Sequence, residues 1–286
     1  MKEIVKEKIA SLLSGDEEIQ SVEQLGGMTN QNYLVKTSSN QYIVKFFGKG
    51  TDKLIDRQNE KFNLELLKDL KLDVENYLFD IEAGIKVNQY IENAETLDSA
   101  TIKTKFEKIA PILQTIHASG KELKGEFAPF EEIKKYESLI QGKISYPNYE
   151  AIRKSVLSLK NELEKIGVDK KSCHIDLVPE NFIEGPDGHL YLIDWEYSSM
   201  NDPMWDLAAL FLESEFTPEE EADFLAYYEG EKTPVSREKI RIYKILQDII
   251  WSLWTIYKEE NGADFGDYGI SRYNRAVKEL RGNYEN

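Results

Sequence analysis

The chain has 286 residues, with 52 Asp and Glu against 36 Lys and Arg, and a formal net charge of −16, which argues against a basic, nucleic-acid-binding surface. Hydrophobic residues make up 41% and charged residues 31%, a globular balance, and the length suits two lobes or one large α/β domain. Cys173 is the only cysteine, and His117, His174 and His189 are the only histidines, which excludes an intramolecular disulfide and a cysteine zinc site and argues against a histidine-rich metal cage.

The N-terminal MKEIVKEKIASLL predicts an amphipathic helix bearing acidic residues, unlike a secretory leader. No apolar run approaches the ~20 residues of a membrane span. A soluble, cytoplasmic protein without a membrane partner is expected. From Ser21 to about Ile91 the chain reads mostly as strands: NYLVKT and QYIVKFF are β-rich runs split by the turn-prone SSNQ. Between strands, TDKLIDRQNEKFNLELLKDL predicts a helix whose Phe62, Leu66 and Leu70 form an apolar stripe at i, i+4, i+8. YLFDIEAGIKVNQYI predicts two strands joined at Ala83-Gly84. Beyond Glu92 the pattern turns helical, in IKTKFEKIAPILQTIHAS with its internal Pro111, YEAIRKSVLSLKNELEKIG, PEEEADFLAYYEG and REKIRIYKILQDIIWSLWTIYKEE. Between these, GPDG signals a turn that opens the strand GHLYLIDWEY. The expected class is α+β, with a small β-rich lobe at 1–91 and a larger, mainly helical lobe at 92–286.

The segment HIDLVPEN holds Asp176 and Asn181 at the Asp-x4-Asn spacing of a kinase catalytic loop. An aspartate there accepts the proton of an attacking hydroxyl, and the asparagine offers its amide oxygen to Mg²⁺. LYLIDW then delivers Asp194 at the end of an apolar strand, where kinases place a second magnesium-binding carboxylate. Upstream, Lys45 ends the run YIVK, comparable to the lysine that contacts the α- and β-phosphates, and Glu60 on the next helix is its candidate ion-pair partner. GGMTNQNY supplies Gly27, Thr29 and Asn30 in a turn whose amides suit phosphate, although it lacks the G-x-G-x-x-G pattern. Taken singly, Lys45 and Asp194 read equally as solvated strand-end charges, and His174 as a core residue. In this order they point to an ATP-dependent phosphotransferase using Mg²⁺.

The chain resembles the small-molecule kinase branch of the protein-kinase-like bilobal fold, and within it the choline kinases. The residues that carry the resemblance are GGMTNQNY, HIDLVPENF, LIDWEYSSMNDPMWDLA and WSLWTIYKEENGADFGDY. Asp-Trp-Glu-Tyr-Ser-Ser stands where protein kinases have Asp-Phe-Gly, and no Ala-Pro-Glu segment follows. The resemblance implies Asp176 as catalytic base, Asn181 and Asp194 as magnesium ligands, and Lys45 with Glu60 as a phosphate-anchoring pair. It places adenine at Gln89, Tyr90 and Ile91, and choline among Tyr197, Glu213, Trp251, Trp254 and Tyr268. The pattern is closest to bacterial enzymes that feed phosphocholine to cell-surface glycopolymers.

Choline's trimethylammonium is a permanent cation without an N–H, so aromatic faces suit it better than hydrogen-bond acceptors, at roughly 0.5–2 kcal/mol per contact. On a helix, Ile250, Leu253 and Tyr257 form one stripe, and Trp251 with Trp254 lie about 100° round from it. The indoles therefore either fill the core or line a cation pocket, with the aliphatic stripe seating the helix. Ethanolamine kinase, aminoglycoside phosphotransferase and a catalytically silent kinase-like module are the alternatives. Oligomeric state is not legible.

Overall fold

A computed structural model describes residues 2–9, 11–13, 16–27, 30–48 and 50–282. The class is α+β, as expected. Helix α1 (Lys2–Ile9) precedes strands β1 (Ile19–Gln24), β2 (Gln31–Thr37) and β3 (Gln41–Phe46); α2 (Arg57–Leu67) then leads to β4 (Asn76–Asp80), β5 (Ile85–Gln89) and the short β6 (Glu95–Thr96). The first five strands form one antiparallel sheet in the order β1-β2-β3-β5-β4. Period-two alternation puts Tyr33, Val35, Tyr42, Val44, Ile85 and Val87 on one face, where they bury with Val5 and Ile9 of α1. Each fully buried aliphatic side chain there stabilises the unit by about 1.5–3 kcal/mol. The opposite face carries Lys45 and Lys86, directly opposed in the β3–β5 register.

Helix α2 reverses the expected orientation. Asp56 caps it, its carboxylate accepting from the backbone N–H of Gln58 and Asn59 at 2.9 and 3.1 Å. The buried residues are Arg57, Glu60, Asn63 and Leu67, whereas Phe62 of the anticipated apolar stripe is 40% exposed. The polar face turns inward because its charges pair there, as described below.

The chain then runs through α3 (Phe106–His117), α4 (Pro129–Leu139), α5 (Tyr149–Ile166) and β7 (Lys171–Cys173), followed by β8 (Phe182–Glu184), β9 (Leu190–Leu192) and β10 (Ser199–Asn201). It ends with α6 (Pro203–Glu213), α7 (Pro218–Tyr228), α8 (Arg237–Glu260) and α9 (Tyr268–Gly282). Pro111 is the sixth of the twelve residues of α3, where its missing N–H removes one intrahelical bond.

These elements form two compact units: Met1–Leu97 with Glu180–Glu196, and Asp98–Pro179 with Tyr197–Asn286. A single boundary after Ile91 does not describe that division. The β8–β9 hairpin joins the first unit, because β6 pairs with β8 through Glu95↔Glu184 and Thr96↔Ile183. The Leu192 N–H also donates to the Leu72 carbonyl at 2.8 Å.

In the second unit α8 packs against α4, α5, α6 and α9. It is buried on every side from Ile245 to Thr255, so the aliphatic stripe and the two indoles are not an inner and an outer face. The polar residues Gln247, Ser252 and Thr255 are accommodated by bonds to the carbonyls of Trp205, Ile249 and Trp251, each 2.8 Å.

Candidate active site

In the first unit, strand β3 directs Lys45 to Asp194: Nζ lies 2.6 Å from Oδ1, with the lysine side chain 7% and the aspartate 26% exposed. Burial works against the ammonium, but the carboxylates of Asp194, Glu196 and Glu60 outweigh it and raise Lys45 above its ordinary value. Asp194 adopts φ +67°, a left-handed conformation that costs a non-glycine residue on the order of 1–3 kcal/mol and is typical of functional sites.

The expected Lys45–Glu60 ion pair is replaced by a different arrangement. Glu60 accepts from Lys86 Nζ and from Arg57 Nη1, each at 2.6 Å. Lys86 stands beside Lys45 on the same sheet face, so it takes the carboxylate of α2 and Lys45 reaches Asp194. Glu60 is held below its usual value because Lys86, Arg57 and Lys45 together overcome its burial. Arg57 Nη1 also lies 2.9 Å from Glu196, which accepts from Asn30 Nδ2 at 2.7 Å. Asn30 in turn takes Arg57 Nη2 at 3.0 Å and the Gly48 N–H at 3.3 Å. The glycine turn is thereby anchored to α2. A Cβ at Gly27 would stand 2.6 Å from the Asn30 carbonyl, which explains glycine there. Thr29 lies outside the described residues.

Asn181 and Asp194 meet at one end of the β8–β9 hairpin. Phe182 faces Leu192, and one step outward the Ile193 N–H donates to the Asn181 carbonyl at 2.8 Å. The hairpin backbone thus brings together two residues with oxygen-bearing side chains, the donor type of which Mg²⁺ takes one or two alongside phosphate and water. Asp73 belongs to the same electrostatic neighbourhood. Its carboxyl is pushed up to about 7, chiefly by burial and also by Asp194, against the opposing charges of Lys86 and Lys45. Gln89, Tyr90 and Ile91 are half-buried where β5 ends. The Gln89 N–H bonds the Glu75 carbonyl at 2.8 Å.

In the second unit, α6 grips the backbone of the HIDLVPEN segment. Asp206, fully buried, accepts from the N–H groups of His174 and Ile175, each at 2.8 Å. Its Oδ2 also lies 3.0 Å from His117 Nε2, and His117 Nδ1 lies 2.7 Å from the Tyr228 hydroxyl. Trp205 Nε1 donates to the Ile175 carbonyl at 3.0 Å. Ile175 sits at φ +78°, a conformation that a β-branched residue adopts only when its surroundings impose it. Asp176 follows, half-buried.

Around Asp176 runs a line of rings. Its charge raises the phenols of Tyr136 and Tyr268, although burial is the larger cause for both. The neighbouring Tyr197 side chain works against that rise at Tyr136. Ring centroids then step from Tyr197 to Trp251 at 5.7 Å, to Trp254 at 6.5 Å, to Phe265 at 5.0 Å and to Tyr268 at 6.4 Å. The first two contacts are edge-to-face, a favourable aromatic geometry. Tyr197, Trp251 and Trp254 are 9%, 8% and 5% exposed. Glu213 is not a free carboxylate: it is ion-paired with Arg272 of α9.

The structure thus brings Lys45 together with Asp194, Asn181 with Asp194, and Tyr197, Trp251, Trp254 and Tyr268 into one continuous wall. Sequence reasoning missed Lys86, Arg57, Glu196, Asp206, Tyr136, Phe265 and Arg272. Glu196, Asp206 and Phe265 lie within the segments that carried the family resemblance, and for the others no local pattern marks a role.

The family model for choline/ethanolamine kinases matches residues 22–239. The chain belongs to the choline/ethanolamine kinase family. Within or beside the family's range, the crystal structure of choline kinase LicA from Streptococcus pneumoniae is 75% identical, covers 99% of both chains and superposes with a TM-score of 0.96. That match carries the protein-kinase-like fold expected from the sequence. A structure of LicA in complex with AMP is 76% identical over 98% of each chain, with a TM-score of 0.93. Protein LicA of Haemophilus influenzae is 32% identical over 268 residues, 90% of this chain and 78% of that protein. Among the described residues, no helix is long and apolar enough to cross a membrane.

Proposed function

We propose that this chain is an ATP-dependent choline kinase, which moves the γ-phosphate of ATP to the choline hydroxyl and yields phosphocholine and ADP. The observation that carries this reading is the wall of rings from Tyr197 through Trp251 and Trp254 to Tyr268, in the same unit as Asp176. Such a wall holds a quaternary ammonium by its ring quadrupoles without requiring a donor. The 75% identity to a protein described as a choline kinase supports the same substrate.

In this reading Asp176 accepts the hydroxyl proton as the choline oxygen attacks, held in place by the grip of Asp206 on the two preceding N–H groups. Lys45 neutralises phosphate oxygens of the nucleotide, and the Asn30 turn supplies amides. The match to an AMP complex supports nucleotide binding, with Gln89, Tyr90 and Ile91 as the adenine-side residues. Asn181 and Asp194 would hold Mg²⁺, which supplies charge neutralisation on the transferring phosphate. Asp194 would serve both Lys45 and the metal, while the Glu60–Lys86–Arg57 cluster keeps α2 in place.

ADP release measured over choline, ethanolamine and kanamycin tests the proposal. Choline is expected to give the highest kcat/KM by tenfold or more. Highest turnover on ethanolamine would favour the family's other amine, highest turnover on kanamycin an aminoglycoside enzyme, and either overturns the choline reading.

A further inference from the structure

Four charged residues at the Tyr268 end of the ring wall pair with one another. Arg272 lies one helical turn beyond Tyr268 on α9, and its guanidinium carbon sits 4.7 Å from that ring's centroid. Its Nη2 pairs with Glu213 Oε1 at the end of α6, and its Nη1 lies 3.2 Å from Asp248 Oδ1, one turn before Trp251 on α8. Arg275 completes the group, bonding Asp248 through Nε and Nη2 at 2.7 and 2.6 Å. Two guanidinium groups therefore face two carboxylates, and the cluster is neutral. Arg272 is 4% exposed, so it is held in this geometry by packing from three helices.

We propose that Arg272 is the specificity-determining residue of the amine pocket: it occupies the Glu213 carboxylate and the adjoining face of Tyr268, leaving rings rather than a free acceptor to meet the substrate cation. This inference rests on the choline-kinase reading and deepens it. A trimethylammonium loses nothing when the nearest carboxylate is already paired, because it has no hydrogen to donate. A primary ammonium brings three donors and leaves them without partners against a wall of rings, a mismatch that sites use for large discrimination. Choline is thus selected over ethanolamine partly by an arginine that touches neither.

The test is the ratio of kcat/KM for choline to kcat/KM for ethanolamine in the full chain. Arg272→Met releases Glu213, and the ratio is expected to fall by roughly tenfold or more, the size of one charge-assisted hydrogen bond gained by ethanolamine. Arg272→Lys restores the ratio to within about threefold, since a cation again holds the carboxylate. Adding Glu213→Gln to Arg272→Met restores it too, because the released acceptor is weakened. An unchanged ratio in folded Arg272→Met overturns the proposal. If Arg272→Met does not fold, Glu213→Gln alone decides. Both amines should then weaken together with the ratio kept within about threefold, as the Arg272 charge is left unbalanced. A selective tenfold loss of ethanolamine would show that Glu213 already reaches the ammonium, and the proposal fails. A wild-type chain that turns over neither amine refutes the underlying kinase reading instead, which is a distinct outcome.

Discussion

Asp206→Asn is the most informative single substitution, because it keeps the shape of the side chain and changes only what it accepts. In the wild type the carboxylate takes two backbone N–H groups at 2.8 Å, from His174 and Ile175, and lies 3.0 Å from His117 Nε2, all without exposure to water. An asparagine can serve one of the two N–H groups with its oxygen. Its NH₂ group must then face the other, and rotating the amide only changes which N–H is orphaned. A buried N–H without a partner costs about 1–3 kcal/mol, and the lost charge on the remaining bonds adds about 1 kcal/mol. A stability loss of about 2–4 kcal/mol follows, measurable as a shift of the urea midpoint with unchanged slope. Ile175 is held at φ +78°, so a relaxed loop also displaces Asp176, and a displacement on the order of 1 Å lowers turnover by about 100-fold. Steady-state kinetics should show that loss in kcat, with the KM for ATP little changed. A stability loss of this size with kcat within threefold of wild type would refute the idea that α6 positions the base.

Asp176→Ala should abolish most turnover while ATP still binds, and near-wild-type kcat would remove it from the base role. Trp254→Leu keeps an apolar side chain in a 5% exposed position but removes the indole face. The choline KM should rise by up to about 30-fold, equivalent to about 2 kcal/mol, whereas an unchanged KM with a lowered unfolding temperature would return this indole to the core. Burial pushes the Asp73 carboxyl up to about 7 in the folded chain, above the ordinary aspartate value of 3.8 that holds when it is unfolded. The folded state therefore holds the extra proton, and this residue's contribution is complete below about pH 4 and is lost as pH rises through 7. Chemical denaturation from pH 4 to 8 should show a shallower decline for Asp73→Asn than for wild type, and parallel curves would contradict the raised carboxyl.

Local patterns were legible and long-range pairings were not. The catalytic loop and the strand-end Asp194 are read from spacing because one turn of chain sets their geometry. The hairpin at Gly84 is equally local, and the glycine there takes φ +70°. Helix α2 misleads the eye because Phe62, Leu66 and Leu70 form a genuine stripe, while the buried face carries Arg57 and Glu60, which pair with each other and with Glu196 and Lys86 far along the chain. Arg57 and Glu196 are 139 residues apart, and nothing near either one announces the pair. The same limit explains Lys45: its register opposite Lys86 decides which lysine takes Glu60, and that register is set by strand pairing. On α8 the period identified one seating stripe, but Gln247, Ser252 and Thr255 disguise a helix buried all round: Ser252 and Thr255 bond carbonyls of their own helix, and Gln247 bonds the Trp205 carbonyl, which only the fold supplies. The indoles are accordingly both nearly buried and joined to a line of rings that reaches Tyr197 and Tyr268. Glu213 looks like a free counter-charge in sequence and is committed to Arg272, 59 residues on, in space.

One competition compares the two amines directly. Equimolar choline and ethanolamine are given to the chain in one tube with limiting ATP and Mg²⁺, and phosphorus NMR reads the two phosphorylated products. Their ratio is the ratio of the two kcat/KM values. Phosphocholine should exceed phosphoethanolamine by at least about tenfold, the discrimination expected of a ring wall whose neighbouring carboxylate is already paired. Equal products, or an excess of phosphoethanolamine, would contradict it.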